Sequence, residues 1–174
     1  MKRIFLFIII ISGTLVVAGT LHVAAQVTAI AGVGVSIITP ISIIKNVDMN
    51  FGNASVSGIA GGSIILAPGG ARSIAGTGVT LPATTGTIAA AAFTVNGVPG
   101  FSYAITLPLS AVISGPGVAS MTVNGFTSSP SGTGMLGTGG SQSLSIGATL
   151  TLAAAQAPGM YTNATSIPVT VNYN

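Results

Sequence analysis

QSLSIGATLTL, residues 142–152, alternates without a break: Leu144, Ile146, Ala148, Leu150 and Leu152 share one parity, and Ser143, Ser145, Gly147, Thr149 and Thr151 share the other. Successive side chains on an extended backbone point to opposite faces. A period of two therefore describes a strand with one apolar and one hydroxyl-bearing face, as in an antiparallel sheet that is packed on one side and wet on the other. FSYAITL, residues 101–107, repeats the pattern with Phe101, Tyr103, Ile105 and Leu107 inward. The C-terminal IPVTVNYN, residues 167–174, places Ile167, Val169, Val171 and Tyr173 in a third apolar row that runs to the penultimate residue. Chain ends are ordinarily polar and frayed, so this row requires a cover.

Turn chemistry separates the alternating runs. Breaks fall at Ala67-Pro68-Gly69-Gly70, at Ser114-Gly115-Pro116-Gly117 and at Ala157-Pro158-Gly159. Asn96-Gly97 and Asn124-Gly125 each follow a Thr-Val pair and predict two-residue hairpin turns with positive φ at both positions. Residues 130–141, with five glycines, predict the longest loop, and the alanine run 89–92 predicts a closely packed strand. No amphipathic helical period occurs after residue 25. Many short strands at roughly ten-residue spacing predict an all-β chain, an antiparallel immunoglobulin-like sandwich. With neither Cys nor Trp in the chain, the Cys-Trp-Cys signature of antibody domains is absent.

The N-terminus has a different composition. Lys2 and Arg3 precede an apolar run from Ile4 through Leu21, and small residues follow at Val23-Ala24-Ala25. Basic, apolar and small regions in that order describe a secretory signal peptide cleaved after Ala25. The same run just reaches the length of an uncleaved membrane anchor, but the small residues stand where a signal peptidase needs them. The expected organisation is a signal peptide over 1–25, an extension strand over 26–38 and a sandwich domain over 39–174. Such a chain would cross the inner membrane into the periplasm and pass on to the cell surface.

Cleavage leaves Lys45, Asp48 and Arg72 as the charged residues, and the sole histidine, His22, departs with the leader. A net charge of +1 (two cations less one anion) offers no basic surface for nucleic acid, which is held through many clustered Lys and Arg. General acid–base and nucleophilic catalysis need a group titrating near the working pH, and a metal site needs several ligands. One carboxylate supplies neither. The inventory predicts a protein that is not an enzyme, with no cofactor, no metal and no small-molecule substrate. An outer-membrane barrel is disfavoured, because aromatics make up 5% of the chain and form no paired girdles. The three charges read as solubilising residues at strand ends.

QVTAIAGVGVSII, residues 26–38, follows the cleavage point. Val27, Ala29, Ala31, Val33, Val35 and Ile37 lie on one face, and Thr28, Gly32, Gly34 and Ser36 on the other. An uncharged, β-branched strand left uncovered pairs with foreign edges. Either it forms the first strand of its own domain, or it completes the sheet of a neighbour by donor-strand complementation.

Several short pieces carry a family resemblance: Pro40-Ile41-Ser42-Ile43, Asn50-Phe51-Gly52, the segment FTSSPSGTG at 126–134, and the ending from Gly159-Met160-Tyr161-Thr162 to Tyr173. The layout resembles a secreted bacterial family known as domain of unknown function four-four-zero-two. It is also similar to the spore coat U type subunits of archaic chaperone-usher pili, although it has no cysteine pair of the kind many of those subunits carry. The resemblance implies a pilin-like sandwich short of its last strand. A periplasmic chaperone supplies that strand first, and after passage to an outer-membrane usher the next subunit does. It further implies that Val27, Ala29, Ala31, Val33, Val35 and Ile37 form the donor strand. Ile167, Val169, Val171 and Tyr173 would form the acceptor edge and the chaperone-recognition strand. The expected function is a structural subunit of a surface fibre, with adhesion as a possible role and with other copies or related subunits as partners. The alternative is a self-contained secreted immunoglobulin-like module that acts as a monomer.

Sequencing of the exported protein should begin at Gln26; an exported chain that retains Met1 would identify the leader as an anchor.

Overall fold

A computed structural model describes residues 26–162 and 167–174. The leader and its cleavage point lie outside the described residues. The chain divides into two units, one ending at Ser36 and one spanning Ile37–Asn174.

The second unit holds fourteen strands: β1 (Ser42–Val47), β2 (Asn50–Phe51), β3 (Ser55–Val56), β4 (Gly62–Leu66), β5 (Arg72–Ala75), β6 (Val79–Thr80), β7 (Ile88–Ala89), β8 (Ala91–Asn96), β9 (Ser102–Thr106), β10 (Ser110–Ser114), β11 (Ser120–Ser129), β12 (Thr133–Met135), β13 (Ser141–Leu152) and β14 (Thr170–Tyr173). Every pairing is antiparallel. The fold is an all-β sandwich, as the alternation predicts.

β13, the strand that contains QSLSIGATLTL, organises the larger sheet. One of its edges pairs with β11 from Ser145 to Thr151. The other pairs with β8 over Ser141–Ile146 and then with β4 over Ala148–Leu152. The change of neighbour falls at Gly147, where a Cβ would run into the carbonyl groups of Leu66 and Ala67. Glycine is required there because the backbone leaving β4 crosses directly over the strand. β1 and β10 border the sheet, in the order β1-β8-β13-β11-β10. The smaller sheet has the order β12-β9-β14.

The row 144–152 forms the core as expected, whereas of Phe101, Tyr103, Ile105 and Leu107 only Tyr103 is buried and Phe101 is exposed. Leu144, Ile146, Ala148, Leu150 and Leu152 are buried, as is Tyr103 on β9. They fall into two apolar clusters, one around Val95, Tyr103, Leu136, Leu144 and Val171, the other around Ile64, Val79, Val123, Leu150 and Leu152. Met49 and Phe126 pack against both. The Tyr103 hydroxyl donates to Gln142 Oε1 at 2.8 Å, and the Met135 N–H donates to the same oxygen at 3.0 Å. Burial pushes the Tyr103 phenol above its ordinary pKa, which keeps the hydroxyl a donor.

Two turn expectations are corrected. Gly125 has φ 55°, but it lies inside β11 at a bulge where the register against β13 shifts between Asn124 and Thr127. One extra residue there bends the strand and does not reverse it. Gly97 follows β8 without a positive φ; its lack of a side chain serves close packing, described below. The segment 130–141 is not one open loop, since β12 forms within it and pairs with β9. Arg72 also does more than solubilise: its Nη1 donates to the carbonyls of Phe51 at 2.5 Å and Asn53 at 2.8 Å, tying the 51–53 segment to β5.

Residues 26–38, expected as an extension strand, pair with no strand within the single chain. Residues 26–41 belong to no sheet, and Val27, Ile30, Val33, Val35 and Ile37 are almost wholly exposed. A strand is stabilised by ladder bonds to a neighbouring backbone, and none is supplied to these residues in a single chain.

In urea denaturation, Leu144→Ala should cost about 2–5 kcal/mol through the cavity it opens, whereas Ser143→Ala on the wet face should stay within about 0.5 kcal/mol. Gly147→Val raises strand propensity yet should destabilise by about 1–3 kcal/mol, because the added atoms meet backbone.

Candidate functional site

The C-terminal strand holds the position that calls for a ligand. β14 pairs with β9 in the register Thr170↔Thr106, Val171↔Ile105, Asn172↔Ala104 and Tyr173↔Tyr103. The Asn174 N–H donates to Ser102 O at 3.3 Å, and on the opposite side of β9 the Ile105 N–H donates to Gly132 O at 2.8 Å. Backbone polar groups along an antiparallel strand turn alternately to one edge and the other. Asn172 and Asn174 therefore face β9, and Val171 and Tyr173 turn their N–H and C=O groups to the far edge. Among the described residues no strand occupies that edge. Val171 is only 8% exposed, so the edge is not simply washed by solvent.

A groove of about 1770 Å3 opens in the same unit. Ile43, Lys45 and Val47 of β1 line it, as do Ile167, Pro168 and Val169 on the approach to β14. The larger sheet contributes Ala91 and Phe93 from β8, Leu150 and Leu152 from β13, Met121 and Val123 from β11, and Ile113 from β10. The groove thus reaches residues of both apolar clusters. Ile64 of β4, Thr87 and segments 47–56 and 156–162 complete the lining. Its only ionised neighbours are Lys45 and Asp48, paired with each other at 2.6 Å and both well exposed. An exposed pair of this kind contributes at most about 1 kcal/mol. The groove combines apolar side chains with polar ones such as Asn50, Asn53, Gln156 and Thr162.

Two tyrosines pin segments beside it. The Tyr173 hydroxyl accepts from the Val98 N–H at 2.7 Å and donates to Thr39 O at 3.0 Å. Its ring meets Phe101 edge-on, with centroids 5.6 Å apart. Gly97 is needed at this point, since a Cβ there would strike the Tyr173 hydroxyl. Tyr161 donates to Ala157 O at 2.7 Å and accepts from Gln156 Nε2 at 2.9 Å, with its ring over Gly115. Backbone bonds of 2.8 Å in each direction join Thr162 to Ser114 at the end of β10.

The four expected acceptor residues share one parity in space as in sequence, but they divide by role. Ile167 and Val169 line the groove, Val171 enters the core, and Tyr173 is occupied in holding Thr39 and Val98. The six expected donor residues, Val27, Ala29, Ala31, Val33, Val35 and Ile37, lie in exposed backbone outside every sheet. Sequence reasoning missed the lining from Ile43, Phe93, Ile113 and Met121 and the tie between Tyr173 and Thr39. Gly97 and Gly115 were the available pointers, but each sits in a Gly-containing pair or cluster that reads equally well as turn chemistry.

A family model for a domain of unknown function matches residues 41–173. No curated protein and no solved structure matches the chain. The matched span contains all fourteen strands and the whole groove lining, and it begins where the exposed extension ends. With that span covering most of its length, the chain belongs to the family described as Domain of unknown function (DUF4402).

Proposed function

We propose that this protein is a structural, non-catalytic subunit of a bacterial surface fibre, assembled by insertion of residues 26–38 of one copy into the groove of the next. The observation that carries the reading is Val171: a residue 8% exposed, on a strand edge with no partner strand among the described residues, in a unit with a groove of about 1770 Å3. A buried backbone N–H or C=O left unbonded costs about 1–3 kcal/mol, so such an edge favours a further strand. Addition of an extended segment to a sheet edge is a general mode of recognition in which backbone bonds give affinity and pockets for alternate side chains give specificity.

The extension has the matching chemistry. It carries no charge, and its apolar residues recur every second position. Each inserted Val or Ile would contribute roughly 1.5–3 kcal/mol of burial, and Gly32 and Gly34 on the opposite face leave the backbone free to lie close to a neighbour. Ile167 and Val169 would form part of one bank of the filled groove, continued by the free edge at Val171. A periplasmic chaperone would hold the groove before assembly, an outer-membrane usher would deliver the subunit, and the product would stand on the cell surface. This is the pilin-like organisation of the spore coat U type subunits, here without their cysteine pair.

Deleting residues 26–38 from the secreted chain should remove multimers from unboiled gels of surface extracts, where the full-length chain should give a ladder that collapses to one subunit on boiling. A truncated chain that still forms the ladder would sink the donor assignment. A single monomer band from the full-length chain, unboiled, would establish the self-contained binding module in place of the fibre.

A further inference from the structure

The donor segment has little means of fixing its own register. Along its apolar face Val27, Ala29, Ala31, Val33 and Val35 differ by at most two carbons from one step to the next, and only Ile37 is larger. A Gly-containing, uncharged strand of this kind is weakly specified in register. A slip of two residues keeps the same face inward, so patterning alone does not forbid it. A fibre of uniform repeat then needs a reference point in the acceptor.

Resting on the strand-exchange reading, we propose that Tyr173 is that reference: its side chain forms a stop across the end of the acceptor edge and thereby sets the register of the incoming strand. The geometry is specific. The groove is lined by Ile43–Val47 on the β1 side and by Ile167–Val169 on the β14 side. Along β14, four residues beyond Val169, the Tyr173 hydroxyl reaches Thr39 O at 3.0 Å, three residues before the start of β1. Neither Tyr173 nor Thr39 lines the groove. The two banks are thus open to each other at Ile43 and Val169 and bridged at Thr39 and Tyr173. An added strand needs about 4.8 Å of clear spacing from each neighbouring backbone, and at this end the Tyr173 side chain, hydrogen-bonded to Thr39 O at 3.0 Å, spans between the two segments. The bridge is held from behind by the Val98 N–H at 2.7 Å and by the Phe101 ring. At the opposite end, Tyr161 bonds within its own segment and does not lie on the free edge.

The chain has no cysteine, so engineered disulfides report the register without background. Val169→Cys in the acceptor is combined, one at a time, with cysteine at Val27, Ala29, Ala31, Val33, Val35 and Ile37, and inter-subunit cross-links are scored in the assembled fibre. With Tyr173 intact, one donor position should exceed those two residues away by about tenfold, equivalent to about 1.4 kcal/mol. In Tyr173→Phe, which keeps the ring and removes both hydrogen bonds, neighbouring positions of the same parity should rise to within about twofold of the main one. Comparable yields from several donor positions with Tyr173 intact would overturn the proposal, and this arm holds even if the variant does not assemble. An unchanged single position in both Tyr173→Phe and Tyr173→Leu would also overturn it, by placing the reference elsewhere. Absence of every cross-link from multimers that nevertheless form would instead defeat the strand-exchange reading on which the proposal stands.

Discussion

β13, twelve residues long, is paired along both edges, and the arrangement of the other strands follows from how those edges are shared. β11 takes one edge from Ser145 to Thr151 around its bulge, while β8 and β4 divide the other and meet at Gly147. Because β4 and β8 leave the strand at different points, the larger sheet branches, and its inner face supports two apolar clusters in place of one. Among the described residues Met49 and Phe126 alone pack against both clusters. The groove reaches into both, and filling it would give the domain a single continuous core.

The two candidate halves of an assembly share a physical deficiency. The extension has side chains suited to burial but no backbone partner; the β14 edge has a nearly buried residue, Val171, whose backbone faces no strand. Each lacks what the other has. Hydrophobic burial is non-directional, and on its own it would allow many seatings. In the proposed assembly the directional part would come from a backbone ladder on the free edge at Val171 and from the Tyr173 hydroxyl bound to Thr39 where that edge ends.

Much of this was legible in the residues. Period-two alternation gave the strand and inward face of 142–152 and the parity of β9 and β14, but it overran those two strands: Phe101 is exposed and Ile167–Val169 precede β14. Asn124-Gly125 was misread because a left-handed glycine serves a bulge as well as a hairpin, and the choice depends on a partner strand far away in sequence. Arg72 was misread for the same reason: its acceptors, the carbonyls of Phe51 and Asn53, have no side-chain signature. The parity of Ile167, Val169, Val171 and Tyr173 was readable, but their division among groove, core and tie was not. That division depends on where β9, β1 and the 97–98 turn come to lie.

The scarcity of charge has a consequence for how such a protein meets its surroundings. No polar or charged residue is buried among the described residues, and the single ion pair, Lys45 with Asp48, stands in solvent. Protons act on a fold through groups whose ionisation differs between the folded and unfolded states, and salt acts through charges it can screen. From mildly acid to mildly alkaline conditions this domain offers almost no such groups. Its core and the row along β14 therefore gain or lose little through ionisation across that range.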